Sequence, residues 1–513
     1  MTQKDPILQK KYSLIVGFFL LGIAVYGASL TNSFSIIDDG LLIFENNAIR
    51  AITLSNLSTI FTSYDPELYI PLTLFSYQID YLIGGYNPFI YHFTSLLLHI
   101  ASSLLVLWIV FLLSGRKWLA LFCGIFFAVH PIQAEAVVWA AARKDVLSSF
   151  FFLSCLCSYL LWRKESNEQK ESKEGRKWYF VSLGLFVLGL LSKVTVVTLP
   201  IVLLLVDWQQ KRKITKEVLM EKVPYFALSI FFGLVALGGK QDLLVQTNIF
   251  EKILLACKTT VFGLRQILFP AQLSVFHPEL HPIRLMSIDF LLPIAVLIII
   301  ASLLWRFRKT HPELLFGALF FLITLAPSFL TVTKGGNIFF FSDRYAYLPS
   351  IGIFFAVGSL FFAIKKIPLY HRSMVAGVIA VIFSMITVHQ SLLWGSGVAL
   401  FSRPAKLYPE FYLSHINVGA GLREEGKREE AIASFKKAVS LYELPNTYGL
   451  IGQVYAEEGN YPEAIEYFEK GLDLLSEDPE LHYGLGQVYA LQGDLLGAEK
   501  SYKTALKYSE DDD

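Results

Sequence analysis

Long runs of apolar residues fill most of the first 400 positions of this 513-residue chain. A helix that crosses a bilayer core of about 30 Å needs about 20 predominantly apolar residues. Apolar runs, some of them short, predict eleven spanning helices, near residues 12–30, 90–113, 118–133, 146–162, 178–192, 194–207, 223–239, 290–305, 314–332, 347–364 and 373–393. We therefore expect an all-α, polytopic membrane bundle.

The composition argues against two broad classes of protein. With 54% hydrophobic and 17% charged residues, the chain is too apolar for a soluble enzyme of its size. A net charge of +1 argues against nucleic-acid binding, since such proteins concentrate basic residues to neutralise phosphates. The four cysteines lie in apolar segments and imply neither a disulfide nor a metal site.

Lysine and arginine are spread unequally over the predicted loops, which indicates the orientation in the membrane. One side has 22 of them in about 58 positions, and the other has about 11 in more than twice that length. We expect the basic side, with the N-terminus, to be cytoplasmic, and loop 31–89 and the chain after Trp394 to be extracytoplasmic. Segment 251–269 has three basic residues in an apolar frame, so an interfacial helix is expected there, with a spanning helix as the alternative.

From about residue 403 the chain becomes polar, and small and aromatic residues recur every 33 or 34 positions. The recurring sets are Gly419, Gly452 and Gly486; Gly426, Gly459 and Gly493; Ala431, Ala464 and Ala498; and Phe435, Phe468 and Tyr502. This period is typical of tetratricopeptide repeats, whose concave face binds an extended peptide or another protein. We predict three repeats, at about 413–446, 447–479 and 480–513, in a domain 401–513 after a membrane domain 1–400. A structural cap or an oligomerisation arm is the alternative role.

Asp38 and Asp39 stand side by side about eight residues after the first apolar run. Adjacent carboxylates are costly beside a bilayer, and ionisable groups kept there usually mark a pathway or a reaction site. Their loop, 31–89, is long, and long loops are more often functional than idle. It also contains Asn46 and several tyrosines, a mixture that suits sugar recognition, although an interfacial aromatic belt better explains most of the tyrosines.

A second polar group lies at 130–145 on the same predicted face. His130 and Glu135 do not have the spacing of a His-Glu-x-x-His zinc site, and no third ligand is evident. His130 equally suits a helix end, because Pro131 follows it. Arg143 and Lys144 are candidate phosphate ligands, since they lie at the extracytoplasmic interface with little competing acid.

A third polar group, 342–350, leads directly into an apolar run. Arg344 can hold a phosphate through two parallel hydrogen bonds, and Tyr345 and Tyr347 follow it. An ordinary interfacial Arg-Tyr anchor is the alternative. Lys193, between two short apolar runs, is a weaker candidate of the same kind.

These groups combine into one chemical hypothesis. A lipid-phosphate-linked sugar would rest its chain among the helices and its phosphate on Arg or Lys. One carboxylate would act as general base on an acceptor hydroxyl, and the cations would stabilise the leaving phosphate. We favour Asp38 as the base and Asp39 as the residue that orients acceptor or donor, although the reverse assignment stays open.

The acidic pair after the first span resembles the motif of the membrane-embedded C-type glycosyltransferases. The sequence is similar in particular to the transmembrane and tetratricopeptide-repeat O-mannosyltransferases and their bacterial relatives. The resemblance is carried by Asp38-Asp39, Asn46 or Asn47, Pro71-Leu-Thr, Gly84-Gly85, His92, His99, His130-Pro-Ile-Gln-Ala-Glu135-Ala-Val, Arg143-Lys-Asp, Ser192-Lys193 and Arg344-Tyr-Ala-Tyr-Leu-Pro-Ser. The sequence departs from the family pattern at Ile70, Lys144 and Asp343.

The resemblance implies a C-type glycosyltransferase fold and an inverting transfer of mannose or another hexose. The donor would be a polyprenyl- or dolichyl-phosphate sugar, and the acceptor a hydroxyl of a protein or peptide that the repeats bind outside the cytoplasm. Its expected setting is a bacterial or archaeal inner membrane, with membrane lipids and no nucleic acid as partners. The donor-phosphate ligands would be Arg344, Arg143, Lys144 and Lys193, and the sugar or acceptor ligands His130, Glu135, Asn46, Tyr345 and Tyr347.

Several alternatives stay open at this level. No cofactor is expected to be required and no metal site is predicted, but Asp38 and Asp39 have the oxygen ligands that Mg²⁺ or Mn²⁺ would need. A glycolipid or a polysaccharide is the alternative acceptor. A non-catalytic membrane scaffold that displays its repeats is the alternative of a different class.

Overall fold

The structure, a computed structural model, describes residues 11–35, 37–65, 68–168, 173–239, 248–334 and 336–510. The chain divides into two compact units, Met1–Gly395 and Ser396–Asp513.

The first unit is a helical bundle with a small sheet. Its helices are α1 (Lys11–Tyr26), α2 (Leu54–Thr62), α3 (Pro71–Gly84), α4 (Pro88–Ser114), α5 (Lys117–Val129), α6 (Ala134–Val138), α7 (Arg143–Glu168), α8 (Lys173–Ser192), α9 (Leu199–Gln209), α10 (Lys216–Met220), α11 (Val223–Gly238), α12 (Ile249–Leu268), α13 (Ile288–Phe307), α14 (Pro312–Leu325), α15 (Ser350–Ala363) and α16 (Leu369–Leu393). The strands are β1 (His277–Pro278), β2 (Thr333–Lys334) and β3 (Asn337–Phe341).

Within the described residues, seven helical segments are long and apolar enough to cross a membrane: Tyr12–Thr31, Pro88–Ser114, Ala140–Glu165, Lys216–Gly238, Ile288–Phe307, Pro312–Leu330 and Leu369–Leu393. An eighth candidate is the pair Lys117–Val129 and Pro131–Val138, bent by 49°. The predicted class, an all-α membrane bundle followed by a tetratricopeptide-repeat solenoid, is confirmed. The predicted count of eleven spans is not confirmed, because Val194–Gln209 and Ser350–Ala363 are apolar but too short to count as full spans.

The bend at residue 130 has a local cause. Pro131 lacks a backbone N–H and cannot continue α5, so the chain turns through the 3-10 segment Pro131–Gln133 before α6 starts. A second 3-10 turn, Ala140–Ala142, then leads into α7. The whole stretch from 126 to 149 is buried, although it includes five ionisable side chains. Ionisable groups buried in a membrane protein are usually paired with one another or part of a functional site.

The small sheet positions the loop before α15. β3 pairs antiparallel with β1 and with β2, with His277 opposite Phe341 and Thr333 opposite Ile338. After β3 the chain forms the turn Asp343–Ala346, which presents Arg344. Asp343 accepts hydrogen bonds from the Ser274 amide at 2.8 Å and from His277 Nε2 at 3.1 Å. These two contacts hold the first residue of the turn in place.

The second unit is a stack of helices. They are α17 (Gly397–Leu407), α18 (Tyr412–Glu424), α19 (Arg428–Leu441), α20 (Pro445–Glu457), α21 (Tyr461–Leu474), α22 (Pro479–Gln492) and α23 (Leu495–Glu510). The recurring glycines allow each helix pair to cross closely: a Cβ on Gly452 would lie 2.8 Å from the Phe468 ring. The glycines that follow α18, α20 and α22 have φ between +75° and +87°, a left-handed conformation that glycine adopts without steric cost.

Candidate functional site

Asp39 fastens the loop after α1 to the start of α7. It is 1% exposed, and its two carboxylate oxygens accept hydrogen bonds from the backbone amides of Ser35 (2.7 Å) and Ala141 (2.8 Å). Burial raises the pKa of Asp39 to about 7, against these two amides and the charge of Lys144, which lower it. Asp39 therefore has a structural role, and the two amides and Lys144 only partly offset the cost of burying its charge.

Asp38 occupies the more open position of the pair. It is half-buried, and its φ of +25° is unusual for a residue with a side chain. Its charge acts both on Asp39 and on Lys144. Asp38 is thus the more exposed carboxylate of the pair.

Three cations meet beside this acidic pair. Lys144 donates to the Ala141 carbonyl at 2.8 Å, and Lys193 donates to Asp145 Oδ1 at 2.5 Å. Lys144 interacts electrostatically with Asp38, Lys193 and Arg344, which come from three distant parts of the chain, and with its neighbour Asp145. The predicted residues Asp38, Asp39, Lys144, Lys193 and Arg344 are thus brought together, and we refer to them as the charged cluster.

Arg344 is held in place by Glu135. Its Nη1 contacts Glu135 Oε1 and donates to Ser342 Oγ at 2.6 Å, while its backbone amide donates to Glu135 Oε2 at 3.1 Å. The Nε atom of Arg344 is buried without a partner among the described residues. Glu135 therefore orients the guanidinium and is not placed to bind a sugar freely.

Aromatic rings border the charged cluster. The Arg344 guanidinium lies 5.0 Å from the ring centres of both Trp139 and Tyr345, and Lys193 Nζ lies 5.5 Å from Tyr345. Although burial opposes ionisation, the charges of Arg344 and Lys193 lower the pKa of Tyr345. Trp139 also stacks on Trp394 with ring centres 5.6 Å apart. Trp139 is 2% exposed, so these rings hold the cations in place through cation–π contacts.

Arg143 has a different set of partners. It is fully buried, pairs with Asp80, donates to the Tyr91 carbonyl at 2.6 Å, and lies 4.8 Å from the centre of the Tyr77 ring. These contacts join α7 to α3 and α4. The structure gives Arg143 a structural role, and does not place it among the cations around Lys144.

His130 and Tyr347 are also used inside the protein. The His130 ring bonds the Ile267 carbonyl at 2.9 Å and accepts from the Ile132 amide at 3.1 Å, so it caps the turn after α5. Tyr347 is buried and its hydroxyl lies 2.8 Å from His99 Nδ1. Both side chains thus have partners inside the bundle, and the helix-end role that the sequence suggests for His130 agrees with its contacts.

Asn46 folds the long loop back on itself. Its side chain caps the turn Asn47–Arg50 by accepting from the Ala48 amide at 3.1 Å, and it donates to Asp65. Burial raises the pKa of Asp65, and Lys144 acts on the same carboxylate. Asn46 thus positions a further carboxylate near the charged cluster.

Sequence reasoning missed three contributors. Asp145 binds Lys193, the Trp139 ring contacts the Arg344 guanidinium, and Ser342 donates to Glu135 Oε1 at 2.9 Å. A usable signal was the position of Asp145, a carboxylate directly after two cations at the start of an apolar helix. Nothing in the pattern around Trp139 or Ser342 distinguished them from ordinary interfacial residues.

No group of three or more His, Cys, Asp or Glu side chains is placed to hold a metal ion within the described residues.

Models of known protein families match the second unit. A model of the TPR repeat matches residues 452–493, and a tetratricopeptide repeat model matches residues 417–443 and 479–512. The second unit is therefore a tetratricopeptide-repeat unit.

Three further similarities concern longer proteins. Protein O-mannosyl-transferase Tmtc2 of Drosophila melanogaster is 35% identical over 27% of this chain and 14% of its own length. Protein O-mannosyl-transferase TMTC1 of Homo sapiens is 24% identical over 73% of this chain and 48% of its own length. The chain thus spans about half or less of these relatives. A crystal structure of the Archaeoglobus fulgidus oligosaccharyltransferase matches over 82% of this chain and 59% of its own, with 14% identity and a TM-score of 0.42.

The chain thus contains the Asp38-Asp39 pair, the charged cluster and a repeat unit. Both relatives described above are named protein O-mannosyl-transferases. The expected resemblance is confirmed: the chain is similar in sequence to protein O-mannosyl-transferases, and its second unit contains tetratricopeptide repeats.

Proposed function

We propose that this protein is an inverting glycosyltransferase that moves a hexose, with mannose the first choice, from a polyprenyl-phosphate donor to a hydroxyl of a protein acceptor. The names of its relatives support a protein O-mannosyl-transferase. The observation that carries the proposal is the convergence of the residues of the charged cluster. Ala141 is hydrogen-bonded at 2.8 Å to both Asp39 and Lys144, and Arg344 and Lys193 lie 5.0 and 5.5 Å from the centre of the same Tyr345 ring. Lys144 also interacts electrostatically with Asp38, Lys193 and Arg344.

Asp38 is the proposed base. It accepts the proton of the acceptor hydroxyl while that oxygen forms a bond to the anomeric carbon. The bond from this carbon to the phosphate oxygen breaks at the same time, and its electron pair leaves with the polyprenyl phosphate. A single displacement of this kind inverts the anomeric carbon.

Arg344, Lys193 and Lys144 are the proposed partners of the donor phosphate. They stabilise the charge that develops on the leaving phosphate, and the buried setting strengthens this interaction. Arg344 has the planar fork that suits a phosphate, and its buried Nε has no hydrogen-bond partner among the described residues. Asp145 and Glu135 keep two of these cations in position before the donor arrives.

The rest of the chain fits an acceptor that is a protein. The repeat unit offers a protein-binding solenoid, and the proposed orientation places it outside the cytoplasm together with loop 31–89. The N-terminus is then cytoplasmic and the setting is a bacterial or archaeal inner membrane.

The test is sugar transfer by the purified full-length protein. Radiolabelled polyprenyl-phosphate sugars are offered one at a time with a membrane-protein extract as acceptor, and Asp38→Asn is compared with Asp473→Asn, an exposed aspartate of the repeats. Label that enters protein with the control variant but not with Asp38→Asn supports the proposal. Label that enters lipid selects the glycolipid acceptor, and no transfer from any donor by folded protein favours the scaffold.

A further inference from the structure

The helix α16 ends beside the charged cluster. Trp394, which follows the helix directly, is 9% exposed and stacks on Trp139 with ring centres 5.6 Å apart and an angle of 22° between the ring planes. Aromatic rings at this separation attract each other beyond the area that they bury. The position of the Trp139 ring therefore depends on where α16 ends.

Trp139 in turn contacts two of the proposed phosphate ligands. The Arg344 guanidinium lies 5.0 Å from the centre of its ring, and Lys144 Nζ lies 5.6 Å from that centre. A cation within about 6 Å of a ring centre is attracted to the ring face, and tryptophan attracts it most strongly. Lys144 is 5% exposed, so little water competes with the ring. One indole thus contacts a cation of α7 and a cation of the turn Asp343–Ala346.

The same end of α16 contacts the loop that carries the acidic pair. The Asn32 side chain donates to the Ser391 carbonyl at 3.1 Å. A Cβ on Gly395 would lie 2.9 Å from Asn32 Oδ1, so a side chain there would require Asn32 to shift. Asn32 lies near the start of the loop that leads to Asp38 and Asp39. The last turn of α16 therefore touches both the acidic loop and the ring that holds two cations.

We propose that Trp394 is a positioning residue for the site that binds the donor phosphate. It fixes the Trp139 ring, and this ring fixes Lys144 and Arg344. The inference rests on the proposed function, since that function makes the donor phosphate the ligand of these cations. Because Trp394 acts through Trp139, its loss weakens binding of the donor and leaves the affinity for the acceptor unchanged.

The expected effect is partial. When the stack is lost, Arg344 still contacts Glu135, and Lys144 still donates to the Ala141 carbonyl. The attraction within an aromatic pair corresponds to a change in affinity of about three- to tenfold. Trp394→Met should raise the Michaelis constant for the polyprenyl-phosphate sugar by this factor. Trp394→Phe keeps a ring on Trp139 and should raise it less.

The experiment titrates donor and acceptor separately with purified full-length protein. The matched control is Trp162→Met. Trp162 also packs on a ring, that of Tyr179 at 5.0 Å, and contacts a cation, Arg163 at 5.5 Å, but it lies about 27 Å from Lys144 along α7. A higher constant for the donor alone in Trp394→Met, a smaller rise in Trp394→Phe and none in Trp162→Met support the inference. Equal changes in Trp394→Met and Trp162→Met overturn it.

A second variant keeps the test valid if Trp394→Met does not fold. A tetrafluorinated tryptophan, introduced at residue 139 by nonsense suppression, keeps the shape of the indole and removes most of its attraction for cations. It should raise the constant for the donor as well. An unchanged constant in this variant overturns the inference, because Trp139 then does not hold the cations.

A second measurement distinguishes failure of the inference from failure of the proposed function. Native mass spectrometry of the same variants measures binding of polyprenyl phosphate, which requires no transfer. If the unaltered protein transfers no sugar but binds polyprenyl phosphate more strongly than Trp394→Met does, the proposed function is wrong and the positioning role of Trp394 is supported. Equal binding of polyprenyl phosphate by the unaltered protein and Trp394→Met overturns the inference.

Discussion

The Asp39 carboxylate accepts a 2.8 Å hydrogen bond from the backbone amide of Ala141, a residue 102 positions later in the chain. A second bond, from the Ser35 amide, uses the other carboxylate oxygen. Asp39 therefore links the loop that carries Asp38 to the turn that precedes Lys144.

Substitutions of Asp38 and Asp39 should distinguish a catalytic role from a structural role. Asp38→Asn is expected to lower transfer about 10² to 10⁴-fold with little change in unfolding temperature, because it removes a proton acceptor from a half-buried position. Asp39→Ala leaves the Ser35 and Ala141 amides without their acceptor. It should lower the free energy of unfolding by about 1–3 kcal/mol for each amide that stays unsatisfied. Transfer rates and thermal unfolding check both, and an unfolding temperature lowered equally by both changes would contradict the division of roles.

The pH dependence of stability should report on Asp39. Burial raises its pKa from 3.8 to about 7, so between these values the folded protein holds a proton that the unfolded chain releases. Stability is therefore lost as the pH rises from about 4 to about 7, at up to about 1.4 kcal/mol per pH unit. Thermal unfolding between pH 5 and 8 should show a steeper fall for the unaltered protein than for Asp39→Asn. Parallel curves would mean that Asp39 is ionised throughout.

The pair of Arg344 and Glu135 allows orientation and phosphate binding to be distinguished. Arg344→Met alone leaves the buried Glu135 carboxylate without its cation and should destabilise the protein by about 3–5 kcal/mol. Adding Glu135→Gln should restore most of the stability, because no charge is then left unpaired. Transfer should stay low in the double variant if Arg344 holds the donor phosphate. Recovery of transfer would show that the pair has only a structural role.

Arg143 should behave as a structural residue. Arg143→Lys keeps the charge but loses the planar group that contacts Asp80, the Tyr91 carbonyl and the Tyr77 ring. We expect a lower unfolding temperature, and an unchanged Michaelis constant for the polyprenyl-phosphate sugar in the fraction that folds. Donor titration of the folded protein is the measurement, and a weakened donor affinity would return Arg143 to the set of phosphate ligands.

The glycine at the crossing of α20 and α21 tests the repeat unit. In Gly452→Val the new side chain meets the Phe468 ring, and overpacking of this kind costs about 1–3 kcal/mol. Limited proteolysis of the full chain should cut faster within 396–513 than it does in Glu458→Ala, an exposed neighbour. Transfer to whole proteins should fall more than transfer to a short peptide. Equal losses for both acceptors would argue that the repeats do not present the acceptor.

Several features were predictable because they depend on local or periodic patterns. The apolar runs predict helices such as Pro88–Ser114 and Leu369–Leu393, and the recurrence of Gly419, Gly452 and Gly486 predicts close helix crossings. The span count was less predictable, since a short apolar run such as Ser350–Ala363 has the composition of a span without its length.

The sequence by itself determined the membrane class, the repeats and the candidate residues, because hydropathy, period and residue type can be read without knowing any long-range contact. Only the tertiary structure decided which candidates lie together. Arg143 and Lys144 are adjacent in the chain, yet successive residues on a helix point in different directions, so one pairs with Asp80 and the other lies near Asp38. Pairing in a buried setting is chosen by geometry across distant segments, and that geometry separates the charged cluster from the residues that support it.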